Sequence, residues 1–266
     1  MIGAIKSEFR KFFSTRMWWG MAIAILLLSA VFALAFGFLF TMDQAGVPPE
    51  AQMNSDPTNV ANSVYTAGLG VAYLLTLTVG VMHIGSEYRH KTITSTFLAT
   101  PRRVRVMAAK VISLLAIGAM YGVVSLIGSV GVGALVLASR GAEVFPSAEV
   151  GRTLVLSLLV LGLWALIGLG AGILIPNQVA ALLISVAVAW IVEPLIGFGL
   201  QLFDWGGEVA QFLPSSATQA IVSGVNTSGM GNADQLSWWA GALVLMAYAA
   251  LLAGVGTLIT TRKDIS

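Results

Sequence analysis

Glu193 is the one acid set inside an apolar run of this chain. An ionisable side chain at membrane depth raises first the question of a proton or substrate role. Here Pro194 follows it directly, with Gly197 and Gly199 close behind. The apolar run is therefore expected to end early, with 195–202 a re-entrant or interfacial segment and Glu193 near a surface beside a polar partner. The two histidines, His83 and His90, stand seven residues apart, which is not a metal pair on one helical face. No cysteine exists to complete such a site or to supply a thiolate nucleophile, so no metal and no disulfide are expected. The sequence contains no GxxxxGK[ST], no HExxH and no GxSxG. No catalytic residue is assigned, and a chain without a P-loop does not bind ATP through one.

The elements that would position these residues are read from apolar run length. With 57% hydrophobic and 10% charged residues, the 266-residue chain lies outside the soluble range, and its runs of about 20 apolar residues are the signature of membrane-spanning helices. Six spans are expected, at about 17–40, 64–84, 106–137, 151–175, 178–202 and 238–259, in a single transmembrane domain. Pro176 and Asn177 divide the fourth from the fifth. Ala33-Leu34-Ala35 mimics a signal-peptide cleavage site but lies inside a run too long for a signal core. Six spans place both termini on one side. Twelve of the 14 basic residues precede span one, lie between spans two and three or, as Lys110, in the first turns of span three that are expected in the cytoplasm or headgroups, or follow span six. Short basic loops stay in the cytoplasm, so both termini are expected there, and topology rather than nucleic acid accounts for the positive charge. Ile2, Ile5, Phe9, Phe12 and Phe13 recur at helical spacing with Lys6, Arg10 and Lys11 largely between them. That is the pattern of an amphipathic helix on the inner leaflet, in contact with membrane lipid.

The expected fold class is thus an all-α membrane protein with an interfacial N-terminal helix. The segment 41–63 reads as an irregular loop, and 203–237 as a longer one holding a Leu213-Pro214-Ser215-Ser216 turn. Ser215 or Ser216 would cap a short extracytoplasmic helix over 217–222. Gly118 with Gly122, and Gly168 with Gly172, mark close helix packing. Tyr73, Thr76, Tyr121, Trp164, Asn177 and Glu193 are candidates for lining a substrate path, with packing as the competing role.

The loop 85–105 is more than a tether. Gly85 to Arg89 can form a short helix with a polar outer face, and a second is suggested by Ile93 and Phe97, four apart. Thr92 or Thr94 would cap that second helix and Pro101 would end it. Arg102, Arg103 and Arg105 are accounted for by topology and anionic lipid.

Glu87-Tyr88-Arg89-His90-Lys91-Thr92-Ile93, followed by Leu98-Ala99-Thr100-Pro101-Arg102-Arg103, resembles the signature of permease subunits of type-two ATP-binding-cassette (ABC-2) transporters. Lys91 stands where glycine is common in such permeases. The resemblance extends to the layout of the whole chain. It implies an exporter subunit that pairs with a second permease, copy or paralogue, and with two cytosolic ATPase subunits that bind ATP and magnesium. It further implies that Ser86, Glu87, Tyr88, Arg89, His90, Lys91, Thr92 and Ile93 form a coupling helix seated on the ATPase. The substrate menu it sets spans drugs, peptide antibiotics, lipids and glycans. A stand-alone secondary transporter or channel is the alternative, for which inverted repeats or several intramembrane charges would be needed.

Overall fold

Long apolar stretches without internal helix breakers leave the backbone no partner but itself in a bilayer, and the helix is the result. The computed structural model describes residues 1–42, 56–90, 103–222 and 236–262. Every regular element among them is a helix. In chain order these are α1 (Ile2–Ser14), α2 (Met17–Thr41), α3 (Pro57–Thr66), α4 (Leu69–Arg89), α5 (Arg103–Ser139), α6 (Ala148–Leu174), α7 (Gln178–Ala187), α8 (Glu193–Leu200), α9 (Gly206–Ala210), α10 (Pro214–Val222) and α11 (Trp238–Arg262). Six segments are long and apolar enough to cross a membrane: Met17–Thr41, Pro57–Arg89, Val104–Ser139, Ala148–Leu174, Gln178–Leu200 and Trp238–Val255.

Helix α6 is the hub. It packs on α4, α5 and α11, and Leu161, Leu163, Trp164 and Leu169 are buried along it. Glycine sets these contacts. A Cβ at Gly80 of α4 would collide with the Ala165 carbonyl, and one at Gly168 of α6 with the Leu77 carbonyl. Gly118 and Gly122 of α5 lie equally close to Gly162 and Leu158. Both glycine pairs read from the sequence thus bring helix backbones together.

Four boundaries differ from expectation. Part of the supposed loop 41–63 is α3, where the Asp56 carboxylate accepts the Thr58 N–H at 3.1 Å and Pro57 occupies the first turn. The stretch Gly85 to Arg89 is not a separate helix; it is the last turns of α4. Span five does not stop at Glu193. A π-helical turn, Val188–Val192, carries the chain into α8, whose first turn holds Pro194. Finally, α10 begins at Pro214 rather than at 217, and its cap comes from another helix. The second helix expected after residue 90, with Thr92, Thr94, Ile93 and Phe97, lies outside the described residues, as do Lys91 and Arg102.

Candidate functional site

At the end of the bundle where α4 finishes and α5 begins, five ionisable side chains from three helices meet. Helical spacing assembles them. On α1, Glu8 lies one turn from Phe12, and these two are the buried residues of that helix. On α4, His83 and Glu87 are four apart and so share a face. Lys110 enters from the second turn of α5 and is 1% exposed.

The contacts are short and reciprocal. Lys110 Nζ donates to Glu8 Oε2 at 2.8 Å and to Glu87 Oε1 at 2.6 Å. Lys11 Nζ donates to Glu8 Oε1 and to Glu87 Oε1, each at 2.8 Å. His83 Nε2 lies 2.9 Å from Glu8 Oε2. A carboxylate only accepts, so the imidazole presents N–H on that nitrogen. Two carboxylates thus face two ammonium groups, with the histidine as a further donor.

The Glu8 carboxyl is held well below the usual carboxylate range. Burial opposes its charge, but the His83 hydrogen bond, the Lys110 charge and the Lys11 hydrogen bond outweigh burial. Lys11 moves the other way from its ordinary value: burial would lower it, and the bonds to Glu8 and Glu87 raise it. Glu87 Oε2 is buried without a partner. Around the charges, Phe12 packs edge-on to Tyr121 at 6.0 Å, and the Tyr121 hydroxyl donates to the Trp18 carbonyl at 3.0 Å. The start of α2 is therefore tied into the same joint.

The remaining candidates are placed as follows. Arg89 and His90 are exposed at the tip of α4, and Ser86 and Tyr88 are half-buried. Within Gly85 to Arg89, Arg89 is exposed and Glu87 turns into the bundle. Ser86 Oγ donates to the His83 carbonyl at 3.1 Å. Tyr73 stacks on Trp164 with ring centroids 4.3 Å apart, and the hydroxyl of Thr76 donates to the Tyr73 carbonyl at 3.0 Å. Trp164 Nε1–H donates to Thr218 Oγ1 at 2.9 Å, which ties α6 to α10. Asn177 is an exposed helix cap: its Oδ1 accepts from the Val179 and Ala180 N–H groups. Glu193 is 5% exposed, and its carboxylate accepts the backbone N–H of Ser215 in the first turn of α10. A cavity of about 390 Å³ opens between Phe40, Pro57, Val60 and Arg140; none of these path candidates lines it.

The joint was not expected as a unit. Glu8 carried no assignment, although its spacing from Ile5 and Phe12 puts it on their face. Lys110 had been counted only as a topology charge. Its position among Val106, Met107, Ala108, Ala109 and Val111 is the signal that marks it as buried.

A family model described as ABC-2 family transporter protein matches residues 4–199, which takes in most of α1, the charged joint and Glu193. Comparison with curated proteins gave no match.

Proposed function

The chain belongs to the ABC-2 transporter family, and from that premise we propose that it is the permease subunit of an exporter driven by a separate pair of cytosolic ATPase subunits. The ATPases bind ATP and magnesium, and a second permease, copy or paralogue, completes the path. Both termini and the tip of α4 face the cytoplasm of a cell whose plasma membrane holds the protein. The charge census supports that orientation, because basic residues gather at the N-terminus, beside the 90–102 segment and after span six.

One observation carries the mechanism. Helix α4 runs unbroken from Leu69 to Arg89, so no hinge separates the membrane span from the exposed Arg89 and His90. A push delivered at that tip is transmitted along about 30 Å of continuous helix. ATP-driven closure of the two ATPases would move the tips of α4 and α5, tilt both spans and open the path outward. Arg89, His90 and the 91–93 residues that follow form the docking segment; Ser86 and Tyr88 support it, and Glu87 acts from inside the bundle. Tyr73, Thr76, Trp164 and Glu193 remain the residues to probe for a substrate path.

The test is co-purification of the chain with its ATPase and measurement of ATP hydrolysis in liposomes. Hydrolysis should rise with the permease present and lose that rise in Arg89→Glu, with the complex intact. Failure of any ATPase to associate would favour the stand-alone transporter.

A further inference from the structure

We infer that α1 is a moving part of the coupling machinery, latched to the tips of α4 and α5 by Glu8, Lys110 and Glu87, and that it travels with them as one body through the ATP cycle. This rests on the ATPase-driven reading above and adds an element to it.

The geometry selects α1. A helix meant only to lie on a lipid surface has no use for a buried carboxylate, yet Glu8 is 3% exposed and enclosed by α4 and α5. Its two oxygens are taken by different helices: Oε1 by Lys11 of α1 itself, Oε2 by Lys110 of α5 and His83 of α4. Lys110 is the hub, since its single ammonium group bridges α1 and α4 while standing on α5. Lys11 closes the ring by reaching Glu87. Every pair among α1, α4 and α5 therefore shares a charged contact.

Such a ring resists relative motion. Sliding α1 away from α4 and α5 would leave Glu8 facing Lys110 and His83 at a distance in an environment with little water, where an uncompensated charge is strongly unfavourable. Displacing all three together breaks nothing. A push at Arg89 must therefore either carry α1 along or open the whole ring. Glu8 and Lys110 are positioning residues in this sense: they touch neither nucleotide nor transported molecule. Through the short link from Ser14 to Met17, displacement of α1 also reaches α2, whose first turn is held by Tyr121.

The absence of cysteine makes the test clean. Spin labels at Arg10→Cys on α1, Val104→Cys on α5 and Val179→Cys on α7 all sit at exposed positions outside the latch. Distances are measured by pulsed electron resonance in the complex with its ATPase, nucleotide-free and trapped with ATP. The Val104–Val179 distance should change between the two states, the Arg10–Val179 distance should change with it, and the Arg10–Val104 distance should stay narrow and constant. In Glu8→Ala combined with Lys11→Ala, which removes the charged contacts of α1 with both α4 and α5, the Arg10–Val104 distribution should broaden and the nucleotide-dependent shift of Arg10 should vanish, with the Val104–Val179 shift kept. Lys110→Arg, which keeps the charge, should keep the shift of Arg10. If Arg10 stays put while Val104 moves in the native chain, or if the double variant leaves the motion of Arg10 intact, the latch is wrong and the ATPase-driven reading stands. If Val104–Val179 does not respond to nucleotide at all, both fall together.

Discussion

Two buried carboxylates, Glu8 and Glu193, are stabilised in opposite ways. Glu8 sits among charged side chains from α1, α4 and α5. Glu193, about 20 Å further along from the start of span five, accepts a backbone N–H in the first turn of α10, where the helix dipole also favours negative charge. The first arrangement joins elements distant in sequence. The second seals one helix end and involves two neighbouring stretches of chain. The contrast sets a charged joint of three helices at one end of the bundle against local capping at the other.

The most severe way to break the contrast is Lys110→Met. It leaves Glu8 and Glu87 buried with less compensation and should destabilise the protein by about 3–5 kcal/mol, whereas Lys110→Arg should cost much less. Thermal unfolding in detergent reads both. Glu193→Ala should cost less, about 0.5–2 kcal/mol, because it removes a cap rather than the hub of a charge network. Hydrogen exchange should rise locally over 214–222, and Glu193→Gln, which keeps an acceptor, should show little of that rise.

The pH response sharpens the difference. The folded-state pKa of Glu8 lies below its unfolded value of 4.5, so its contribution is fully present above about 4.5 and fades as acid is added beyond that. That of Lys11 lies above 10.5, so its contribution is full below 10.5 and is lost as pH rises through the higher folded value. In a His83→Asn background, which leaves Glu8 facing Lys11 and Lys110, the stability difference between Glu8 and Glu8→Gln should be level from about pH 5.5 upward to pH 9. It should shrink under more acidic conditions. Smaller again is Trp164→Phe, which forfeits the bond to Thr218 and should cost about 1 kcal/mol by thermal unfolding. Smallest is Arg89→Glu, whose exposed side chain should change stability by less than about 0.5 kcal/mol while uncoupling hydrolysis. A charge reversal at Arg103 should uncouple less.

The sequence carried the spans well, because run length is a local property and membrane burial leaves few alternatives. It carried α3 poorly: Asp56-Pro57 is a helix-start signal, but the polar composition around it pointed to a loop. The continuation of α4 beyond residue 84 was not read because Gly85-Ser86-Glu87 looks like the start of something new; in α4, Gly85 packs closely on Gln178 and Glu87 finds two cations. Glu193 was legible as a carboxylate with a polar partner, though not as the cap of α10, since that contact depends on how two stretches 22 residues apart fold back on each other. The joint was the least legible feature. Each member is visible singly, Glu8 beside Phe12, His83 one turn from Glu87, Lys110 in an apolar run, but only tertiary packing says that the three helices present these faces to one another.

The central claim is that the tip of α4 is where an ATPase grips this permease. Hydrogen exchange over residues 86–102, compared between the chain alone and its ATPase complex, tests it most directly. Strong protection of Arg89, His90 and the segment after them on complex formation is the expected result. Unchanged exchange there, in a complex that is demonstrably assembled and hydrolysing ATP, would contradict the account.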